Sequence, residues 1–169
     1  MDAGVERARQ AVTDAVARLS DAGARDEALA RYVSDRRTLG IRRAPRMESI
    51  GRVWRLGTLL VARDGAVFAT GALTRALPPG RPAYQSLSAE ERRDYRAAAH
   101  RGRFAEGEAV NFDATPILLD ETLANASGPL VLRGDEPMVH WSAASDALVP
   151  LADYLRDRVD LLVHPPQGA

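Results

Sequence analysis

The chain has 169 residues, 46 % of them apolar and 27 % charged, which suits one globular domain with a core that needs no disulfide or metal. It contains no cysteine, which excludes disulfide frameworks, thiolate zinc sites and cysteine nucleophiles. All 23 basic residues are arginine against 23 Asp and Glu, but residues 1–103 hold 20 arginines and 12 carboxylates while 104–169 hold 3 and 11, so a +8 stretch precedes a −8 one and the net charge of zero hides two opposed halves.

No apolar run approaches the ~18 residues of a membrane span. The opening Met1-Asp2-Ala3-Gly4-Val5-Glu6 has no secretion-signal pattern, so the cytoplasm is the expected location.

Val5, Ala8, Val12, Ala15, Val16 and Leu19 recur three or four apart, predicting an amphipathic helix over 3–20 that stops at Gly23. A second helix is expected over 25–37. Asp26 and Glu27 would sit in its first turn, Arg36 and Arg37 in its last, and Leu29, Tyr32 and Val33 on its apolar face. Across 31–55 there are eight arginines against Asp35 and Glu48. Guanidinium forks bind phosphate and carboxylate in bidentate fashion. Arg36, Arg37, Arg42, Arg43 and Arg46 are therefore the candidate anion-binding residues. Nucleic acid is an open partner but not the favoured one, since the isoelectric point of 6.8 lies well below the value of about 9 usual for a dedicated binding domain.

Residues 53–75 read as a β-hairpin about a two-residue Asp64-Gly65 turn. That register sets Arg63 opposite Ala66, Val61 opposite Phe68, Leu59 opposite Thr70, Leu56 opposite Leu73 and Trp54 opposite Arg75. Both faces are apolar, so both need cover. The Pro- and Gly-rich stretch at 77–86 reads as a loop, open to a lid or arm role. Ser88-Ala89-Glu90-Glu91 forms a capping box for a helix over 89–101. Short strands follow at 109–112, 116–119, 129–133 and 138–141. A final helix over 145–164, capped by Ser145 or Asp146, carries Leu148, Leu151, Tyr154, Leu155, Val159, Leu162 and Val163 as the cover for one hairpin face.

His100, His140 and His164 lack the spacing of a helical metal pair, and no phosphate loop, dinucleotide fingerprint or nucleophile elbow is present. No metal and no cofactor are expected. Whether the chain is an enzyme stays open; the catalytic candidates are His140 with Asp113 or Glu108 as an acid–base pair.

The expected fold is a single α+β domain spanning 1–169. It has a helical segment at 1–40, a sheet region at 53–141 containing the helix 89–101, and the helix 145–164. A mostly antiparallel sheet of about five or six strands is built on the 53–75 hairpin, with two N-terminal helices, one mid-chain helix and the C-terminal helix packed on it. The expected role is non-catalytic association or ligand binding as a homo-oligomer, most simply a homodimer. The alternatives are anion or nucleic-acid binding through 31–55 and small-molecule catalysis at His140.

Overall fold

The computed structural model describes residues 2–80 and 86–168, so part of the loop expected at 77–86 lies outside the described residues. In chain order the elements are helix α1 (Asp2–Asp21) and strands β1 (Glu27–Val33), β2 (Arg36–Thr38), β3 (Ile41–Arg43), β4 (Arg46–Leu56), β5 (Leu59–Ala62), β6 (Val67–Ala69) and β7 (Ala72–Arg75). Helix α2 (Leu87–His100), strands β8 (Ala109–Phe112) and β9 (Thr115–Ile117) and a short 3-10 turn at Glu121–Asn125 follow. Strands β10 (Leu130–Arg133), β11 (Glu136–His140) and β12 (Leu148–Pro150) lead into helix α3 (Leu151–Val163). The fold is α+β. The chain divides into two compact units, Met1–Asp26 with Val53–Thr70 and Thr115–Ala169, and Glu27–Arg52 with Gly71–Ala114.

In the first unit the α1 stripe Val5, Ala8, Val12, Ala15 and Leu19 is buried against Trp54, Leu56, Leu59, Val61 and Val67 of the strands and against Leu151, Tyr154, Leu155 and Val159 of α3. Such small α1 side chains leave the helix close to its neighbours. Strand pairing runs β4-β5-β6-β9, all antiparallel. A separate antiparallel sheet, β10-β11-β12, turns at Gly134-Asp135, with Arg133 opposite Glu136.

Residues 53–75 are extended, as expected, but broken into four strands. Leu56 pairs with Leu59, so Gly57-Thr58 is itself a two-residue turn, and Gly57 supplies its positive φ of 67°. At Asp64-Gly65 the loop is longer than two residues: the Ala62 amide donates to the Ala66 carbonyl, and Gly65 returns to the Ala62 carbonyl at 3.0 Å. Gly65, at φ 86°, makes this a three-residue loop with a glycine bulge. The register therefore shifts by one, and Val61 faces Val67 rather than Phe68. A chain that already turns at Gly57 cannot place Trp54 or Leu56 opposite β7. That strand pairs instead with β8, within the second unit.

The second unit orders its strands β7-β8-β1-β4, with β8 antiparallel to β7 and parallel to β1. Residues expected as a second N-terminal helix form β1 and β2 instead, leaving α1 as the N-terminal helix. Leu29, Tyr32 and Val33 have helical spacing, whereas on a strand Leu29 and Val33 share one face and Tyr32 lies on the other. Ala28, Leu29 and Ala30 are buried in succession, as on an inner strand covered on both faces, whereas a helix buries one stripe. The charges read as helix-dipole partners have other work: Asp26 pairs with Arg63 at 3.2 Å and Glu27 accepts from Asn111 Nδ2 at 2.7 Å.

Helix α2 begins at Leu87, and the side chain of its cap, Ser86, makes no capping bond. The expected capping box does not form, because Glu91 instead accepts a hydrogen bond from the Tyr95 hydroxyl at 3.1 Å. Ala98 and Ala99 are buried with Ala28, Ala30, Val110 and Phe112 of the strands, and Tyr95 packs between Tyr32 and Phe112, with ring centroids at 5.6 and 4.8 Å. The C-terminal helix is shorter than the expected 145–164. Leu148–Pro150 pairs with β11, and proline at the cap position, lacking an amide to donate, lets the helix start at Leu151.

Candidate functional site

The arginine-rich segment folds as a two-stranded ribbon. Strands β2 and β3 meet at Leu39-Gly40, whose φ angles of 53° and 79° are both positive, the pattern of a type I′ turn. Glycine takes that backbone freely; leucine is strained in it. The register sets Arg36 opposite Arg43 and Arg37 opposite Arg42. Side chains alternate along a strand, so each face of the ribbon carries one arginine pair. All four are exposed.

Arg42 is held by Asp35, while the side chains of Arg36, Arg37 and Arg43 make no hydrogen bond or ion pair among the described residues. Arg46 stands apart in its chemistry. Its Nη2 lies 2.7 Å from Glu48 Oε1, and Arg31 Nη2 lies 2.6 Å from Oε2 of the same carboxylate. Hydrogen bonds from Arg31 and then Arg46 hold the Glu48 carboxyl below its ordinary value of 4.5. At the tip Leu39 is 98 % exposed and Ile41 67 %, so the ribbon ends in bare apolar surface between cations. The second unit as a whole has 14 arginines against 9 carboxylates, and the first has 9 against 14. The bodies thus carry +5 and −5, less than the +8 and −8 of the linear halves, because the first unit takes Met1–Asp26 and Val53–Thr70 from the basic half.

His140 ends β11 in the first unit and lines a cavity of about 330 Å3 together with Thr58, Thr70, Ser127, Ser142 and Asp146. Its backbone is fixed: the amide donates to the Pro129 carbonyl at 2.8 Å and its own carbonyl accepts from Thr58 Oγ1 at 3.3 Å. Its imidazole makes no hydrogen bond among the described residues. Asp113 and Glu108 belong to the second unit and do not line this cavity. Asp113 is exposed at the tight crossing of β7 and β8, where a Cβ on Gly71 would meet its carbonyl oxygen at 2.2 Å. Glu108 takes Arg52 at 2.6 Å and the Ala105 amide at 3.1 Å. The carboxylate that does line the His140 cavity is Asp146, read from sequence as a helix cap. No spacing in the chain announces that meeting, because the turn at Thr58 and the loop after β11 converge only in three dimensions.

Among the described residues no three His, Asp or Glu side chains gather where they can hold a metal ion, and no helix is long and apolar enough to cross a membrane. Compared with known proteins, the chain matches no family model, no curated protein and no solved structure.

Proposed function

We propose that the second unit binds a nucleic acid through the β2–β3 ribbon. The observation that carries this reading is the cross-strand pairing of Arg36 with Arg43 and of Arg37 with Arg42. Like charges directly opposite each other destabilise a ribbon, so the arrangement makes sense with an anionic partner to neutralise it. A two-stranded ribbon fits the major groove of a duplex, and arginines on both faces meet phosphates on either wall. The exposed Leu39 tip supplies an apolar contact, of the kind arms use against base steps. Overall neutrality argues less against this once the charge is counted by unit.

Fluorescence anisotropy with labelled duplex and single-stranded DNA tests the proposal. Affinity should fall with salt by a log–log slope of about −0.9 for each duplex phosphate neutralised. Replacing Arg36, Arg37 and Arg43 together by alanine should weaken binding by about tenfold or more. Absence of binding at about 50 mM salt, or binding indifferent to those three residues, ends the idea.

A second reading rests on the separate +5 and −5 bodies: copies of the chain associate, one copy's basic unit meeting another's acidic unit, as a homodimer in the cytoplasm. Light scattering at low and high salt distinguishes it, since such an assembly dissociates as salt screens the charges. A mass that stays monomeric at every ionic strength counts against it.

A further inference from the structure

We infer that the second unit holds a site for a small anion with an apolar body, an aryl or short alkyl phosphate ester or carboxylate, in a cavity between β7 and α2. The cavity measures about 270 Å3, close to the lower end of small-ligand sites. Arg75 of β7 and Arg92 and Arg96 of α2 all line it, with Leu73, Leu77 and Tyr95 as its apolar surface. No carboxylate lines it.

Three guanidiniums on one hollow are an arrangement folding does not favour. Arg92 and Arg96 stand one helical turn apart, where like charges repel. Two of the three are already aimed by the backbone. Arg75 Nη1 donates to the Gly107 carbonyl at 3.0 Å and Arg92 Nε to the Ser88 carbonyl at 3.1 Å. Each is left with further N–H groups for a ligand, and the Arg96 guanidinium makes no hydrogen bond or ion pair among the described residues. Glu91, on the same helix, is turned to the Tyr95 hydroxyl at 3.1 Å.

The apolar wall is as firm as the charges are. Tyr95 is wedged against Tyr32 and Phe112, and Leu73 is 51 % exposed, so a ring or short chain covers surface now wet. Charge alone would attract any anion. Charge beside a fixed aromatic ring and an uncovered leucine selects one with a hydrocarbon part. The ribbon contributes no residue to this cavity, so the inference stands apart from nucleic-acid binding.

Calorimetric titration of the full chain with phenyl phosphate, benzoate and inorganic phosphate tests it. Phenyl phosphate or benzoate should bind saturably at or below about 1 mM, the tighter of the two naming the head group, with inorganic phosphate at least about fivefold weaker. Arg92→Gln with Arg96→Gln should weaken the tighter ligand by about tenfold while leaving the far-ultraviolet dichroism unchanged. Leu73→Asp, at an exposed strand position, should abolish binding, and alanine at Arg36, Arg37 and Arg43 should leave it unchanged. Equal affinity for inorganic phosphate, indifference to the Arg92 and Arg96 changes, or no saturable binding of either aryl ligand overturns the inference.

Discussion

The Tyr154 hydroxyl lies against Gly57 so closely that a Cβ there would come within 2.1 Å of it. That oxygen accepts the Thr58 amide at 2.8 Å and donates to the Leu56 carbonyl at 3.0 Å. One buried phenol therefore locks α3 to the β4–β5 turn. Gly57→Ala strains a positive φ by about 1–2 kcal/mol and also drives the phenol away, for a loss of about 3 kcal/mol or more. Tyr154→Phe, which keeps the ring, should cost about 1–3 kcal/mol by leaving the turn's amide and carbonyl unpaired. Urea unfolding measures both; a Gly57→Ala loss below about 1 kcal/mol would sink the account.

Asn111 tests the parallel pairing of β1 and β8. It is 1 % exposed, and its Nδ2 bonds Glu27 at 2.7 Å and the Ala28 carbonyl at 3.1 Å. Asn111→Leu keeps the bulk and removes both bonds, so stability should drop by about 1–3 kcal/mol. A leucine variant as stable as the native chain would show those bonds to be idle.

Glu48 sets a pH dependence with a definite sign. Its carboxyl is held low in the folded state by Arg31 and Arg46, so the unfolded chain binds the proton more readily. Its stabilisation is present above the ordinary value of 4.5 and is lost as pH falls through the lower, folded value. Melting temperature followed from about pH 6 down to pH 3 should fall less steeply in Glu48→Gln than in the native protein. Superimposable profiles contradict the assignment. Both arginines are partly exposed, so salt should flatten the native profile as well.

The ribbon should show function opposing stability. Arg36→Thr with Arg43→Thr replaces a repelling cross-strand pair by a β-favouring one, and Leu39→Asn relieves a strained φ. Each should slow hydrogen exchange across 36–43, by an amount equal to about 0.5–1 kcal/mol. The threonine pair should lose nucleic-acid affinity as it gains order. Faster exchange in either variant would mean that the charges and the strained leucine hold the ribbon together.

How much of this was legible in the chain depends on how local the signal is. Helix α1 was readable because six small apolar residues keep one period with nothing to contradict them. The strand at 109–112 was readable from its alternation, and that at 130–133 from a short apolar run ended by turn residues. The hairpin at 53–75 was half readable. Asp64-Gly65 does turn the chain, but Gly57-Thr58 turns it first, and a glycine inside an apolar run reads equally as bend or bulge. Residues 25–37 escape the sequence reading because apolar residues at helical spacing also serve a strand covered on both faces. The choice between helix and strand comes from β8, far away in sequence. The arginines of 36–43 were visible as a cluster, though not as two opposed pairs, since that needs the turn at Leu39-Gly40. The hollow lined by Arg75, Arg92 and Arg96 had no linear signature at all.

Trp54 and Trp141 both belong to the first unit. One is sealed at 0 % exposure, with its indole N–H on the Ala24 carbonyl at 3.0 Å; the other is 44 % exposed beneath the Arg158 guanidinium. The chain has two tryptophans and no more. Tryptophan emission, excited apart from tyrosine, is therefore a built-in probe of that body, and it should show a short-wavelength component shielded from acrylamide and a longer-wavelength one open to it.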